Sequence, residues 1–505
     1  MIELTGNSLT TGQLLSIAGG EKICVSRDAL QKVSECREII DHLVSNDRVV
    51  YGVTTGFGQL CNTRINRNDL EKLQINLVRS HATGVGRLFS REEVRVMIAV
   101  RINSLLHGVS GVRPVIIETL EEMLNKDVIP AVPEQGSVGS SGDLAPLSHI
   151  MLVLMGEGNI LTEDEKLSPA KPALERAGIK PVTLMAKEGL ALINGTSVMT
   201  GVLSLASERS IMLAKSADIT ASLTIEVLKA STAPFDAEFI ALRPYQGMKE
   251  TAANILSLMT DSEIRQSHIG CEKVQDAYSL RCIPQVHGAS RETIRFVHSQ
   301  VSCEINSVTD NPIIFSEEKI ISGGHFHGQP MALASDHLSI ALSELGNISE
   351  RRIDRLLNPL VSGLNPFLAV EPGVNSGLMI AQYTAAALAS ENKVLSHPAS
   401  VDSIPTSAYQ EDHVSMGTIA ARKCARILDH VTQILAIELI CASQAYEFVK
   451  PLKLGKGTDA AYNILRNCVP PLNEDRIMTA DLHNAKQLIW KGELLNHVTK
   501  FIPLS

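Results

Sequence analysis

The chain has 505 residues, 44% of them hydrophobic, 20% charged and only 4% aromatic, a globular composition rich in helix formers with apolar mass for more than one core. A net charge of -9, with 46 scattered Lys and Arg, offers no basic face for phosphate, which excludes a nucleic-acid surface and leaves small solutes as expected partners. The N-terminus lacks a basic region followed by an apolar stretch, and no segment offers about twenty uninterrupted apolar residues. Nine cysteines without a CxxC pair fit a reducing cytosol, so a cytoplasmic protein that enters no membrane is expected.

Residues 29–45 place Leu30, Val33, Ile40 and Leu43 at helical spacing, and the run 91–125 reads the same way. Gly-rich stretches, YGVTTGFGQL at 51–60 and GSVGSSGDLAPL at 136–147, mark loops whose turns only glycine tolerates. From about 200 the texture changes. Segments 201–232, 331–358, 376–396 and 415–449 have few Gly or Pro and predict long helices. Among them MLAKSADITASLTIEVLKA, 212–230, is small or apolar on most of its circumference, which requires neighbours all round. The expected fold is mainly α: a long-helix bundle and C-terminal helices over 201–505, and a smaller α-rich N-terminal part, 1–200, that carries site loops.

The stretch PEQGSVGSSGDLAPLSH, 133–149, is the most informative in the chain. On local grounds it is a turn with Asp143 capping a helix that runs through Leu147 and Ile150. A phosphate loop would need a Lys after the last Gly, and a GxSxG elbow would need Gly at 143. Local readings are equally open elsewhere. Tyr51 reads as a half-buried loop tyrosine, Asn194 as a turn residue before Gly195, Arg281 as a helix neighbour of Tyr278, and Glu411 as a surface carboxylate. His325 and His327 alternate around Phe326 and would share one side of a strand, but no third ligand is placed and no metal site is expected.

Taken together, GSVGSSGDLAPLSH at 136, YGVTTGFG at 51, LVRSHATGVG at 77, GLALINGTS at 189, QDAYSLRC at 275, FHGQP at 326, SERR at 349 and SHPASVDSIPTSAYQEDHVSM at 396 resemble, in order and over nearly the whole chain, the histidine, phenylalanine and tyrosine ammonia-lyase family. The resemblance implies a helical fumarase/aspartase-like architecture, a homotetramer with sites completed by neighbouring subunits, and a methylidene-imidazolone electrophile with no external cofactor. That group forms when the Gly142 nitrogen attacks the Ser140 carbonyl and Ser141 is dehydrated, with loss of two waters. Ser140 stands where Ala is usual, which is tolerable because only its carbonyl enters the ring.

By the same resemblance Tyr51 removes the β proton, Tyr278 and Asn194 flank the electrophile, and Arg281 grips the substrate carboxylate. Gln275, Phe326 and Gln410 fall at substrate-binding positions. Ser80-His81 matches the histidine-selective members, and Glu411 is suited to hold an imidazole, so elimination of ammonia from L-histidine to give urocanate is the expected reaction. Departures at Ser140, Ser197, His325 and Tyr409 keep three alternatives open: a histidine aminomutase giving β-histidine, a tyrosine ammonia-lyase giving coumarate, and a catalytically silent relative.

Overall fold

The computed structural model describes residues 1–56, 58, 63–271 and 273–505. Phe57, Gln59 and Leu60 of the first Gly-rich loop, with Cys61, lie outside the described residues. Helix dominates, and strand is confined to short two-stranded sheets. Two compact units emerge: Met1–Glu208 with Val297–Asp336 and Pro398–Lys423, and Arg209–Phe296 with His337–His397 and Cys424–Ser505. Neither is one continuous stretch, whereas the change of texture near 200 had set a single division.

In the first unit the spacing over 29–45 becomes helix Arg27–Ser45, which buries Val33, Cys36, Ile40 and Leu43 on one face. The run 91–125 forms two helices rather than one, Arg91–Leu105 and Pro114–Asn125. Gly108 and Gly111 between them adopt left-handed φ values of 70° and 73°, and Pro114 starts the second helix, where its missing N–H costs nothing. The first of the pair opens on a capping box, Ser90 with Glu93, and is buried at every position from Val94 to Leu105. That burial includes Arg101, whose guanidinium donates to the Ala191 carbonyl in the short helix Glu188–Ile193. Strand Val85–Leu88 pairs antiparallel with Pro133–Gln135, and the second of these leads directly into the Gly-rich stretch at 136.

The four long segments appear as helices Ser197–Val227, Gln329–Leu357, Met379–Leu395 and Gly417–Glu447, and most of their length belongs to the second unit. Residues 216–228 are all buried, including Asp218, Thr220, Ser222, Thr224 and Glu226. Polar groups so placed need partners, because an unpaired one forfeits its hydration. Asp218 meets His287 at 2.8 Å, Arg291 at 2.5 Å and Asn254 at 2.9 Å. Glu438 accepts two bonds from Arg352, at 2.5 and 2.8 Å, and the hydroxyls of Ser349 and Thr224 at 2.7 and 2.8 Å. Ser349 and Arg352, the ends of the SERR motif, stand one turn apart and meet the same carboxylate, so that motif is a core ion-pair device. No helix among the described residues is long and apolar enough to cross a membrane.

Burial pushes the Glu226 carboxyl up to about 7, outweighing the Ser262 and Thr458 hydroxyls and the Gly455 amide that pull it down. A raised native pKa means the neutral acid is preferred in the fold. Its contribution to stability is therefore present below about 4.5 and lost as the pH rises through about 7. Glu226→Gln is expected to melt above the parent at pH 8 and to lose that advantage toward pH 4.5, the ordinary carboxylate value. Thermal midpoints of both proteins across that window check it, and parallel curves would contradict it.

Candidate active site

Gly139 and Gly142 have φ of 72° and 80°, the left-handed region that L side chains avoid. Space makes the demand stricter: a Cβ at 142 would lie 2.1 Å from the Gly195 carbonyl oxygen. The two chain segments run side by side, with the Gly195 amide donating to the Ser141 carbonyl at 3.1 Å and the Asp143 amide donating to the Gly195 carbonyl at 2.8 Å. From the other flank the Met416 amide donates to the Val138 carbonyl at 2.9 Å, and the Ser415 hydroxyl to that of Gly139 at 3.2 Å. Ser140, Ser141 and Gly142 are thereby held between two fixed backbones.

Asp143 does not cap the helix that follows it, Leu144–Leu154, as its position in sequence predicts. Its carboxylate instead accepts the Val198 and Met199 amides at 2.9 and 3.0 Å and the Thr418 hydroxyl. Those amides are orphan donors of the first turn of helix Ser197–Val227, and being buried they must find an acceptor within the protein. Burial raises the Asp143 pKa to about 6, against the lowering by these three donors.

A cavity of about 810 Å³ opens over Ser140 and Ser141, with Tyr51, Asn194, Phe326, Gln410 and Glu411 in its wall. A second space, about 460 Å³, shares Tyr51, Ser141 and Glu411 and is also lined by Ser80 and His81. Seven of the expected site residues thus surround the turn formed by Ser140, Ser141 and the buried Gly142. The Ser141 hydroxyl donates to Glu411 Oε1 at 3.3 Å, while Thr406 donates to Oε2 at 2.7 Å. His81 Nδ1 lies 2.8 Å from the Leu77 carbonyl, which can only accept, so this nitrogen carries the proton and Nε2 is left as an acceptor. Burial lowers the His81 pKa, with the Leu77 carbonyl and Glu411 opposing. The Gly58 amide donates to the Tyr51 hydroxyl at 3.5 Å.

Gln275, Tyr278 and Arg281 belong to the second unit. Tyr278 opens the four-residue helix Tyr278–Arg281, is 71% exposed, and carries the Arg281 guanidinium 4.6 Å from its ring centre. Of the four departures only Ser140 lines the cavity. Ser197 is buried at the start of its helix, His325 faces a separate space of about 370 Å³, and Tyr409 is 79% exposed. His325 and Phe326 form a turn rather than a strand, so His325 and His327 do not share a side; His327 stacks on His413 at 5.5 Å. No cluster of three metal-binding side chains occurs among the described residues. Asn311 and Leu190 also line the cavity and were not singled out from the sequence; the turn signal Asn-Pro at 311 was the one available clue to the first.

The model of the aromatic amino acid lyase family matches residues 9–467. A histidine ammonia-lyase of Alkaliphilus metalliredigens is 50% identical over 100% of this chain and 99% of its own. Among solved structures, the histidine ammonia-lyase of Trypanosoma cruzi superposes with a TM-score of 0.92 at 41% identity, covering 99% of this chain and 96% of that one. A tyrosine aminomutase of Streptomyces globisporus gives 0.94 at 39% identity, covering 100% and 99%.

The packing around the turn separates its residues by tolerance. Ser140→Ala is expected to change stability by less than about 0.5 kcal/mol, whereas Gly142→Ala adds left-handed strain of about 1–3 kcal/mol and an overlap with Gly195 on top of it. Comparison of thermal midpoints checks this, and equal midpoints would mean that the turn yields freely.

Proposed function

We propose that this chain, which belongs to the aromatic amino acid lyase family, eliminates ammonia from L-histidine to give urocanate. The observation that carries the reading is the grouping of His81 and Glu411 with Ser141 around one space. A carboxylate there accepts an imidazole N–H, and the unprotonated Nε2 of His81 offers a second acceptor. The relatives named histidine ammonia-lyase, at up to 50% identity over the full chain, support the same substrate.

The turn fits the family's self-formed electrophile. Gly142 has neither the φ nor the room of another residue, the Ser141 hydroxyl faces an acceptor in Glu411, and the Ser140 side chain is free to be a bystander. When formed from Ser140-Ser141-Gly142, the methylidene-imidazolone supplies an electron-poor carbon that takes up the substrate amine and turns it into a better leaving group. The protein's own residues then have defined tasks. Tyr51 serves as the base for the β proton, and the Gly58 amide is directed at its oxygen. Helices Leu144–Leu154 and Ser197–Val227 begin next to the turn and its partner Gly195, where the positive ends of their dipoles favour electron density. Phe326 and Gln410 bound the substrate, and Asn194 lies beside the amine.

Arg281 is proposed to grip the substrate carboxylate, with Tyr278 and Gln275 beside it, in a cytoplasmic homotetramer whose sites neighbouring subunits complete. The exposure of Tyr278 with its stacked Arg281 suits residues that serve in an assembly. A second reading, a histidine aminomutase, draws support from the likeness to the tyrosine aminomutase at a TM-score of 0.94. Lyase and mutase differ in how long product and ammonia stay enclosed.

Incubation with L-histidine is expected to give urocanate absorbance, and the intact protein to weigh two waters less than its sequence. Turnover of tyrosine to coumarate without any of histidine would overturn the substrate assignment, and β-histidine as main product would establish the second reading. Glu411→Gln is expected to lower kcat for histidine by about 10²-fold while the protein still loses its two waters; full activity in this variant would remove Glu411 from the site.

A further inference from the structure

Helix Glu188–Ile193 has six residues, too few to fix its own ends, and the residues flanking it both send polar side chains into the interior. Lys187 is 0% exposed and Asn194 2%. The lysine enters with φ of 73° at the N-terminal end of the helix, where the dipole disfavours a cation. Its partner is Asp310, equally buried, at 2.7 Å. The other oxygen of that carboxylate accepts the Asn194 amide nitrogen at 3.4 Å and the Asn311 backbone amide at 2.7 Å. The Asn311 carbonyl takes the same Asn194 nitrogen at 3.0 Å. Two acceptors therefore settle which end of the Asn194 side chain is nitrogen, and its Oδ1, buried, has no partner among the described residues. Asn194 and Asn311 both line the cavity over Ser141.

We infer that the Lys187–Asp310 pair is a positioning device that fixes the Asn194 amide with its nitrogen on Asp310 and Asn311, leaving its oxygen as the acceptor for the N–H groups of a substrate amine brought to Ser141. The inference rests on the ammonia-lyase reading of that cavity. A buried ion pair is a poor way to gain stability, since apolar side chains of similar volume commonly do as well. Apolar side chains cannot orient an amide. Asp310 does so directly, and again through Asn311, whose carbonyl it keeps in place by accepting the neighbouring amide. Without it the Asn194 side chain is free to turn over and present NH₂ to an incoming amine, a donor facing a donor.

The test is a double-mutant cycle on the full-length protein, assayed with whichever aromatic amino acid the parent turns over. Lys187→Met with Asp310→Leu removes both charges and leaves neither buried alone. The variant is expected to lose two waters and to melt below the parent, since the Asn311 amide loses its acceptor and the buried Arg101 a counter-charge, and to show kcat lower by roughly 10²-fold with KM little changed. In an Asn194→Ala background the same double change is expected to cost no further activity, because the side chain it acts through is gone. Equal fold-losses in the two backgrounds, or an unchanged kcat, would overturn the inference. Should leucine not be accommodated at 310, Lys187→Met with Asp310→Ala runs the same cycle with the same readings. A parent inactive on every aromatic amino acid defeats the functional reading and this inference with it; an active parent with independent effects defeats the inference alone.

Discussion

Asp143, buried completely, joins three pieces of chain that are far apart in sequence: its own turn, the first amides of helix Ser197–Val227, and Thr418 at the start of another long helix. Burial alone would drive the carboxyl toward its neutral form. The donors around it hold the value at about 6, so that above this pH an anion sits against a helix N-terminus, where it is favoured. The arrangement matters because the turn it anchors has no room to spare beside Gly195. Two left-handed glycines and a backbone contact with Gly195 keep Ser140, Ser141 and Gly142 in a conformation that a loose loop would abandon.

Around that turn the side chains divide by task. Tyr51, Glu411 and His81 stand around Ser141, and each has a neighbour bonded to it: the Gly58 amide on the tyrosine oxygen, Thr406 on the carboxylate, and the Leu77 carbonyl on the imidazole. Asn194 owes its orientation to Asp310 and Asn311. Supporting groups of this kind fix tautomer and rotamer, which is what separates a site that is present from one that is poised.

Much of the helical framework was legible because its signals are periodic. The four long segments were placed within a few residues of helices Ser197–Val227, Gln329–Leu357, Met379–Leu395 and Gly417–Glu447, since freedom from Gly and Pro and an apolar stripe are local properties. The break inside 91–125 was written in Gly108, Gly111 and Pro114 but was outvoted by the apolar spacing on either side. The site was legible only through family resemblance, which alone lifted Tyr51, Asn194 and Glu411 above ordinary loop residues. Nothing local could reveal that Asp143 would leave its own helix for another, that Lys187 would pair with Asp310 across more than a hundred residues, or that His325 would turn away into a different space. Such pairings are decided by which backbones the core brings together, and a linear pattern carries no trace of them.

The contact between Gly142 and Gly195 reaches beyond the turn. A methyl group on the first would strike the carbonyl of the second, and one on the second would strike Arg101 and Thr309. Each position is closed by different neighbours, so no single compensating change reopens both. In a library of random variants these two sites would stand as blank columns, silent about chemistry yet marking where the molecule has no slack, while Ser140 next door would accept several letters.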